Sequence, residues 1–328
     1  MTLVDAFRRN IDYLRISVTD RCNLSCLYCV PQGKLVKLRH QDILRYEEII
    51  RIARTAISIG IKKIRVTGGE PLVRKGLVGF IRSLGQLQGL QDLSITTNGT
   101  LLEEKLEQLW DAGIRRLNIS LDTLKREKYR HITGADKFDA VWASIEKAAE
   151  LGFSPIKINI VAMKNVNDDE IEQFGSLSMT KPYHVRFIEY MPMGTEPSHL
   201  RPEYIPSAEI KKRLETLGEL QPIGKSPLDG PAERYRFKDG KGEIGLISPM
   251  TNHFCRSCNR LRLTASGRLR PCLLSSREID IRGSLRSGAT DSELVELFRK
   301  AVMIKPSSHG MLREKSELFP GEMSSIGG

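Results

Sequence analysis

The stretch of sequence that decides the fold is residues 13–29, which read YLRISVTDRCNLSCLYC. Its first half alternates, so that Leu14, Ile16 and Val18 share one face of a strand and the residues between them share the other. Its second half carries three cysteines, separated by three and then two residues. In parallel α/β folds, the loops at the carboxyl ends of strands carry the chemistry. This stretch therefore predicts a thiol site directly after the first strand.

Six predicted strands alternate with helical patterns from about residue 13 to about residue 217. The strands are Tyr13–Thr19, Lys62–Thr67, Leu93–Asn98, Leu117–Asp122, Pro155–Val161 and Val185–Met191. Helical patterns between them include Tyr46–Ile59, Leu101–Asp111 and Phe138–Leu151. Such alternation is typical of an α/β protein with a parallel sheet and right-handed crossovers. Six units are fewer than the eight of a closed barrel.

The first five predicted strands each keep one polar face. In the fifth, Ile156, Ile158 and Ile160 alternate with Lys157 and Asn159. A doubly wound sheet buries both faces under helices, so its strands are apolar throughout. We therefore expect a partial (β/α)6 TIM-like barrel, with helices on the apolar face and a ligand cavity on the polar face. A sheet face exposed to solvent is the alternative.

The chain divides into two predicted parts. Residues 1–220 contain the partial barrel, and residues 221–328 form a smaller C-terminal region. From Pro222 to Gly245 the sequence is rich in glycine, proline and charge, which predicts a connection into the C-terminal region that holds the second cysteine group. The tail from Ser307 to Gly328 predicts little regular structure.

The charge balance favours an anionic partner. The 328 residues include 51 Lys and Arg against 40 Asp and Glu, a net charge of +11. Nucleic acid, a small polyphosphate or merely a basic surface would fit this surplus. Because no zinc finger, RNA-binding signature or basic arm accompanies it, we expect no nucleic-acid partner. Without a long apolar segment or a signal-peptide core at residues 1–10, we expect no membrane association and a cytoplasmic location.

The cysteines indicate metal sites. The six fall into two groups of three, one near each end of the chain: Cys22, Cys26 and Cys29, then Cys255, Cys258 and Cys272. A disulfide framework is not expected in a large chain without an export signal. Three thiolates on a [4Fe–4S] cluster leave one iron open to bind a ligand. A zinc ion remains the alternative for each group, with His253 as a fourth ligand in the second.

Two motifs identify the first site. The run CNLSCLYC at 22–29 resembles the signature of the radical S-adenosylmethionine (SAM) superfamily. This resemblance implies a partial barrel and a [4Fe–4S] cluster whose open iron binds SAM. It also implies that an electron from the cluster cleaves SAM into methionine and a 5′-deoxyadenosyl radical. The run TGGEP at 67–71, after the second strand, resembles the element that contacts the SAM amino group.

The second cysteine group narrows the resemblance to one family. FCRSCNRLRLT at 254–264 and RPCL at 270–273 resemble the C-terminal motif of the GTP 3′,8-cyclases. The resemblance to this family covers nearly the whole chain, from Arg15 to the final Gly327-Gly328. In that family, these cysteines hold a second [4Fe–4S] cluster that faces the guanine base. The radical removes a hydrogen from C3′ of GTP, and C3′ then attacks C8. The product is (8S)-3′,8-cyclo-7,8-dihydroguanosine 5′-triphosphate, the first intermediate of molybdenum cofactor biosynthesis.

The resemblance also assigns site residues. Catalysis is assigned to the first three cysteines with Arg260 and Arg262. The SAM contacts are Tyr28, Gly69, Ser120 and Met191. The GTP contacts are Arg15, Arg65, Thr96, Lys157, Arg260, Leu261 and Arg262. Arginine suits this role because its planar fork matches phosphate oxygens.

The same resemblance implies partners. It implies an external electron donor, and a cyclic pyranopterin monophosphate synthase that takes up the product; it is compatible with a homodimer. The Gly327-Gly328 tail is expected to reach the active site, and a frayed chain end is the alternative.

Three other functions compete with this interpretation. A radical enzyme that modifies a peptide would commonly carry more C-terminal cysteines. An iron–sulfur electron carrier would use fully ligated clusters, which six cysteines cannot provide for two cubanes. A zinc-bearing nucleic-acid module would explain the charge but not the barrel pattern.

Overall fold

The computed structural model describes residues 2–29, 37–191, 203–224, 229–308 and 326–327. All six predicted strands are present, although the fifth runs three residues further than expected. They are β1 (Tyr13–Ser17), β2 (Lys63–Thr67), β3 (Asp92–Thr97), β4 (Leu117–Ser120), β5 (Ile156–Lys164) and β6 (Tyr183–Glu189). The predicted α/β alternation is therefore confirmed.

Helices follow the strands along most of the chain. They are α1 (Tyr46–Ser58), α2 (Leu77–Gly85), α3 (Leu106–Asp111), α4 (Arg126–Thr133), α5 (Phe138–Glu150), α6 (Ile171–Thr180), α7 (Ser207–Leu214), α8 (Ile281–Arg286) and α9 (Asp291–Met303). Helix α3 begins later than the predicted Leu101, because the chain first forms a short 3-10 turn at Glu103–Lys105. Among the described residues, every helix is too short or too polar to span a lipid bilayer.

The later strands extend the same sheet at both edges. They are β7 (Glu203–Tyr204), β8 (Leu220–Ile223), β9 (Glu233–Phe237), β10 (Glu243–Ile247), β11 (Arg260–Leu263), β12 (Arg268–Arg270) and β13 (Ile279–Asp280). The order is β13-β12-β11-β1-β2-β3-β4-β5-β6-β10-β9-β8, with β7 beside β5. The run from β11 through β1–β6 to β10 is parallel. Since β10 and β11 do not pair within the described residues, the barrel stays open, as predicted.

The predicted connection at 222–245 contains regular structure, because β9 and β10 form an antiparallel pair there. The charges that suggested a connection are partners across that pair. Arg234 donates to Glu243 at 2.8 Å and to Asp229 at 2.6 Å. Phe237 and Ile244 are buried against the core. The segment thus behaves as an edge of the barrel sheet.

The hydrophobic core lies between the sheet and the helices. Leu14 and Ile16 of β1 are fully buried, as are Ile49 and Ile52 of α1. All four belong to one continuous apolar cluster. Burial of such side chains contributes roughly 1.5–3 kcal/mol each. With the apolar face packed in this way, the polar face is left for a ligand.

Glu189, at the end of β6, fastens two distant segments to the barrel. Its side chain is fully buried. It accepts hydrogen bonds from the amide of Ser207 at 2.8 Å and from the amides of Met250 and Thr251 at 2.8 and 3.0 Å. The Thr251 hydroxyl also donates to it. One carboxylate therefore fixes the start of α7 and the loop that leads to the second cysteine group.

We predict that Glu189→Gln lowers the free energy of unfolding by roughly 1–3 kcal/mol, because an amide NH2 would face backbone N–H donors and leave one unsatisfied. Denaturant unfolding of both proteins in the same cofactor state measures the loss. Glu203→Gln is the matched control: Glu203 pairs with Lys164 at the surface and should change stability by less than about 0.5 kcal/mol. Equal effects of the two variants would contradict the role of Glu189.

Candidate active site

A cavity of about 320 Å³ lies on the polar face of the sheet. Each of the first five strands contributes a lining side chain: Arg15, Arg65, Thr96, Ser120 and Asn159. All six cysteines line it as well. The two cysteine groups, from opposite ends of the chain, therefore face one common chamber.

The loop that carries the first three cysteines is held by its backbone. The amides of Ser25 and Leu27 each donate at 2.9 Å to carbonyls at the end of α4. The Cys22 sulfur accepts from the amide of Leu24 at 3.4 Å and from the side chain of Asn98 at 3.7 Å. These contacts fix the loop before any cofactor binds.

The electrostatics of this first group fit a cationic centre. Burial raises the pKa of the Cys22, Cys26 and Cys29 thiols. The neighbouring thiols and Asp122 raise the pKa values of Cys26 and Cys29 further. Thiolates that repel one another in a buried site are stabilised by positive charge between them. Iron bound by three such sulfurs would supply that charge.

The glycines after β2 permit close backbone packing. A Cβ on Gly69 would lie 2.5 Å from the carbonyl oxygen of Arg21, and one on Gly68 would lie 2.8 Å from that of Thr19. The Gly69 amide donates to the Thr19 carbonyl at 2.8 Å. The turn thus lies directly against the backbone that leads into Cys22.

Glu70 anchors the same turn to β3. Its buried carboxylate accepts from the Leu72 amide at 3.0 Å, the Thr97 hydroxyl at 2.8 Å and the Asn98 amide at 2.6 Å. Burial raises the pKa of Glu70 to about 7, although these hydrogen bonds act to lower it. Glu70 therefore holds the predicted SAM-binding turn beside the first cysteine loop.

Two buried cations hold the second cysteine group. The Nζ of Lys305 donates to the Cys258 sulfur at 3.5 Å and to the carbonyls of Arg260 and Pro271 at 2.9 and 2.6 Å. Arg9 donates to the carbonyl of Cys255 at 2.7 Å. Lys305 therefore joins the two loops that carry Cys258 and Cys272.

The electrostatics of this second group differ from those of the first. Burial alone would raise the pKa of the Cys258 thiol, but the positive charges of Arg260 and Lys305 lower it to about 6. This thiol is thus readily ionised, as a metal ligand must be.

The thiol geometry bears on the zinc alternatives. A single zinc ion needs its ligands within about 2.3 Å of one point. Within the described part of the chain, no three His, Cys, Asp or Glu side chains converge closely enough to hold one metal ion. The cysteines of each group nevertheless line the same cavity wall. Each group therefore presents its sulfurs to the chamber, where three thiolates could hold an iron–sulfur cluster.

Neighbouring strands bring cations together on the cavity face. Because β1 lies parallel to both β11 and β2, Arg15 stands beside Arg262 and Arg65. Two residues earlier in β1, Tyr13 lies beside Arg260 of β11 and Lys63 of β2. The polar face predicted from alternation is therefore a surface dominated by arginine.

Several cations on this face of the sheet are buried close to other cations. Burial and, to a smaller extent, the nearby Arg65 lower the pKa of Arg15 and that of Arg186, in β6, to about 10. Burial and the nearby Arg186 lower the pKa of Lys157 to about 6, and burial with the nearby Arg15 lowers the pKa of Arg262 well below its usual value. Among the described residues, Arg65, Arg186, Arg262 and Lys157 form no ion pair with a carboxylate. Buried like charges without counterions are costly, so the cavity suits a polyanion.

The C-terminal end of the chain also enters the site. Ile326 and Gly327 are buried. The Gly327 carbonyl accepts from Arg262 at 2.7 Å, and its left-handed φ of 81° favours glycine. A Cβ there would lie 2.5 Å from the Thr67 hydroxyl. Residues 309–325 and Gly328 lie outside the described part of the chain, but Gly327 does reach the cavity wall.

Most of the predicted site residues line the cavity. They are Arg15, Cys22, Cys26, Tyr28, Cys29, Arg65, Gly69, Thr96, Ser120, Met191, Cys255, Cys258, Arg260, Arg262 and Cys272. Two predicted GTP contacts do not line it. The side chain of Leu261 packs in the hydrophobic core, so only its backbone can face a ligand. Lys157 is half-buried on the same strand face as Asn159, two residues before it.

The structure adds residues that the sequence interpretation missed. Tyr28 donates to Asp122 at 2.7 Å, and burial raises the pKa of Asp122 to about 6. Asp122 and Arg186 follow the alternation of their strands, so extending that pattern to the sixth strand would have found Arg186. No local signal points to Lys305, because it lies far along the chain from the cysteines it contacts.

We predict that Gly69→Ala lowers the free energy of unfolding by about 1–3 kcal/mol, because the methyl group would collide with the Arg21 carbonyl. Denaturant unfolding measures this change. Gly79→Ala is the control: Gly79 is in α2 with open space around it, so alanine should stabilise the chain by roughly 0.5–1 kcal/mol. A neutral Gly69→Ala would show that the turn has room to move.

Comparison with known proteins agrees with this geometry. The Radical SAM superfamily model matches residues 16–177, and the Molybdenum Cofactor Synthesis C model matches residues 183–311. The chain resembles the solved structure of SuiB from Streptococcus suis, with a TM-score of 0.61, 16% identity, and coverage of 93% of this chain and 69% of that one. A SuiB structure bound to S-adenosylmethionine gives a TM-score of 0.60, also at 16% identity, with coverage of 92% and 68%. These two likenesses show the fold.

Curated relatives match over the full length. The chain is 48% identical to the GTP 3′,8-cyclase of Moorella thermoacetica over 324 residues, which is 99% of each protein. It is 48% identical to that of Thermodesulfovibrio yellowstonii over 326 residues, again 99% of each. It is 45% identical to that of Geobacter sulfurreducens over 328 residues, all of both chains. With this similarity and its two cysteine groups in one cation-rich cavity, the chain belongs to the GTP 3′,8-cyclase family of the radical SAM superfamily.

Proposed function

We propose that this chain converts GTP into (8S)-3′,8-cyclo-7,8-dihydroguanosine 5′-triphosphate, the first step of molybdenum cofactor biosynthesis, while SAM is cleaved to 5′-deoxyadenosine and methionine. The observation that carries the proposal is the chamber itself. Two groups of three thiols and a set of buried cations line one cavity. Neither an iron–sulfur electron carrier nor a zinc-bearing nucleic-acid module requires a ligand cavity that both thiol groups face.

The thiols divide into two cofactor sites. Cys22, Cys26 and Cys29 would hold one [4Fe–4S] cluster, and the later three cysteines would hold the other. When bound, the first cluster and SAM supply the radical that removes hydrogen from the nucleotide. Tyr28, Gly69, Ser120 and Met191 line the cavity where SAM would lie. The task of the chain is to position both ligands and exclude water.

The cations bind and orient the nucleotide. Arg15 and Arg65 line the cavity and would pair with the triphosphate. Lys157 would join them, since it lies on the same face of β5 as Asn159, which does line the cavity. Arg260 and Arg262 would hold the nucleotide between the second cysteine group and the triphosphate end. Thr96 would add a hydroxyl contact and Leu261 a backbone contact. Removing a buried arginine partner from a phosphate typically costs several kcal/mol of binding.

We extend the proposal to the surroundings of the enzyme. Radical formation consumes an electron, so an external donor is required, and a cyclic pyranopterin monophosphate synthase would take up the product. Phe7 and Met303 are exposed by 50% and 60% and offer apolar surface to a second copy in a homodimer. Residues 1–220 would act as the radical-generating core and 221–328 as the region that holds the second cluster. We place the protein in the cytoplasm, where an oxygen-sensitive cluster enzyme finds reducing conditions.

Anaerobic incubation with GTP, SAM and a strong reductant tests the proposal. We expect protein with about eight irons per chain, and 5′-deoxyadenosine and the cyclised nucleotide formed together. Omission of GTP should suppress 5′-deoxyadenosine, and Cys22→Ser should abolish both products. Formation of 5′-deoxyadenosine at the same rate without GTP, with no cyclised nucleotide, would refute the assignment.

The pKa of Lys157 generates a pH prediction. Burial and the nearby Arg186 lower this pKa to about 6, so the free protein holds Lys157 neutral near neutral pH. A bound triphosphate would raise the pKa again, so binding should take up a proton, and affinity should fall as pH rises above about 6. Titration calorimetry in buffers of different ionisation enthalpy measures that uptake at about pH 7.5.

Two variants isolate the lysine in this experiment. Lys157→Met should lose up to about one proton of the uptake, while the contribution of the γ-phosphate remains in every protein. Lys164→Met, a surface change at the far end of β5, should match the wild type. If the Lys157 variant takes up as many protons as the wild type, Lys157 does not pair with the nucleotide.

A further inference from the structure

Tyr13, the first residue of β1, carries a buried hydroxyl that faces the cavity. The residue is only 2% exposed, and its side chain lines the chamber. Its amide is satisfied, because it donates to the Asn259 carbonyl at 3.2 Å. Its hydroxyl, however, has no hydrogen-bond partner among the described residues. A buried O–H without a partner costs roughly 1–3 kcal/mol, so a ligand atom is the expected partner.

The neighbours of Tyr13 indicate what kind of atom its hydroxyl would bind. In the strand register, Tyr13 lies between Arg260 and Lys63. The Lys63 ammonium is 5.1 Å from the ring centroid, and the Arg65 guanidinium is 5.6 Å from it. Ammonium and guanidinium groups donate hydrogen bonds and cannot accept them. Lys63 is also paired with the buried Asp92 at 3.0 Å, whereas Arg65 forms no ion pair with a carboxylate among the described residues. Because the cations beside the ring cannot accept a hydrogen bond, the partner that the hydroxyl lacks is an acceptor.

We propose that the Tyr13 hydroxyl donates a hydrogen bond to a phosphate oxygen of the bound nucleotide and so helps the enzyme to select the triphosphate. This inference rests on the proposed GTP cyclisation. A phosphate oxygen could accept from Tyr13 and pair with Arg65 at the same time, because it accepts several hydrogen bonds and carries negative charge.

The electrostatics of the phenol agree with this geometry. Burial would raise the pKa of Tyr13, but Arg65, Arg15 and Lys63 together lower it below its usual value. A phenol made more acidic by nearby cations is a stronger hydrogen-bond donor to an anion.

The position along β1 separates Tyr13 from the first cysteine group. Tyr13 begins the strand, whereas Cys22 follows its carboxyl end. At about 3.3 Å per residue, the five residues of the strand place Tyr13 roughly 13 Å from that end. The hydroxyl should therefore act on nucleotide binding and not on radical formation.

Equilibrium binding to the anaerobic, cluster-loaded protein tests the inference. Dissociation constants of GTP, GDP, GMP and guanosine are compared between the wild type and Tyr13→Phe, which keeps the ring and removes only the hydroxyl. We expect the variant to bind GTP about 10-fold to 100-fold more weakly, the range for a hydrogen bond to a charged group. Guanosine should bind both proteins equally. The KM for GTP should rise while kcat changes by less than about twofold.

A matched variant controls for the loss of a buried hydroxyl. Tyr129 is also 2% exposed but does not line the cavity, so Tyr129→Phe should leave all four dissociation constants unchanged. Unaltered GTP affinity in Tyr13→Phe would overturn the inference, and so would an equal loss for guanosine, which would place the hydroxyl on the base or ribose. Either result leaves GTP cyclisation by the wild type intact, whereas absence of cyclisation by the wild type refutes the proposed function itself.

Discussion

Backbone pairing between β11 and β1 holds the two cysteine groups in one chamber. The register sets Arg15 directly beside Arg262, although the two residues are far apart in the chain. Because Cys258 lies two residues before β11 and Cys22 lies five residues after β1, the pairing places the two groups toward opposite ends of the cavity. A shift of one residue would turn Arg262 into the core and Leu261 into the cavity. The set of side chains that face the cavity therefore depends on the register of this one strand pair.

The chamber is electrostatically divided. At the end near the first cysteines, burial raises the pKa values of Asp122 and of the thiols, and Asp122 with the neighbouring thiols raises that of Cys26 further. A positively charged group would stabilise their ionised forms. On the strand face, Arg15 and Arg186 are buried near other cations, and a bound anion would stabilise their positive charge. The iron cluster and the triphosphate would each supply one of these charges. Ligands that bind the folded state alone stabilise it, so both cofactor and nucleotide should strengthen the fold.

The C-terminal end of the chain closes against the same strands. Gly327 packs on Thr67 and Ser17, at the carboxyl ends of β2 and β1, and receives a hydrogen bond from Arg262. Arg262 is thus shared between the tail and the proposed nucleotide site. A guanidinium has five donors, so one arginine can hold both a carbonyl and a phosphate oxygen. A nucleotide bound to Arg262 would therefore lie close to the C-terminal tail, which Arg262 also holds.

The sequence by itself determined the six β/α units, the polar strand face and the two thiol groups, because alternation and spacing are local properties. It did not show that the connection at 222–245 contains the paired strands β9 and β10, because Arg234 and Glu243 become partners only when those strands pair. Only the tertiary structure decided that Lys305 contacts Cys258, that Glu189 fastens the loop at Thr251, and that Tyr13 lies among cations. Those contacts join residues distant in the chain, and their partners are fixed by strand order and register, which no local pattern specifies.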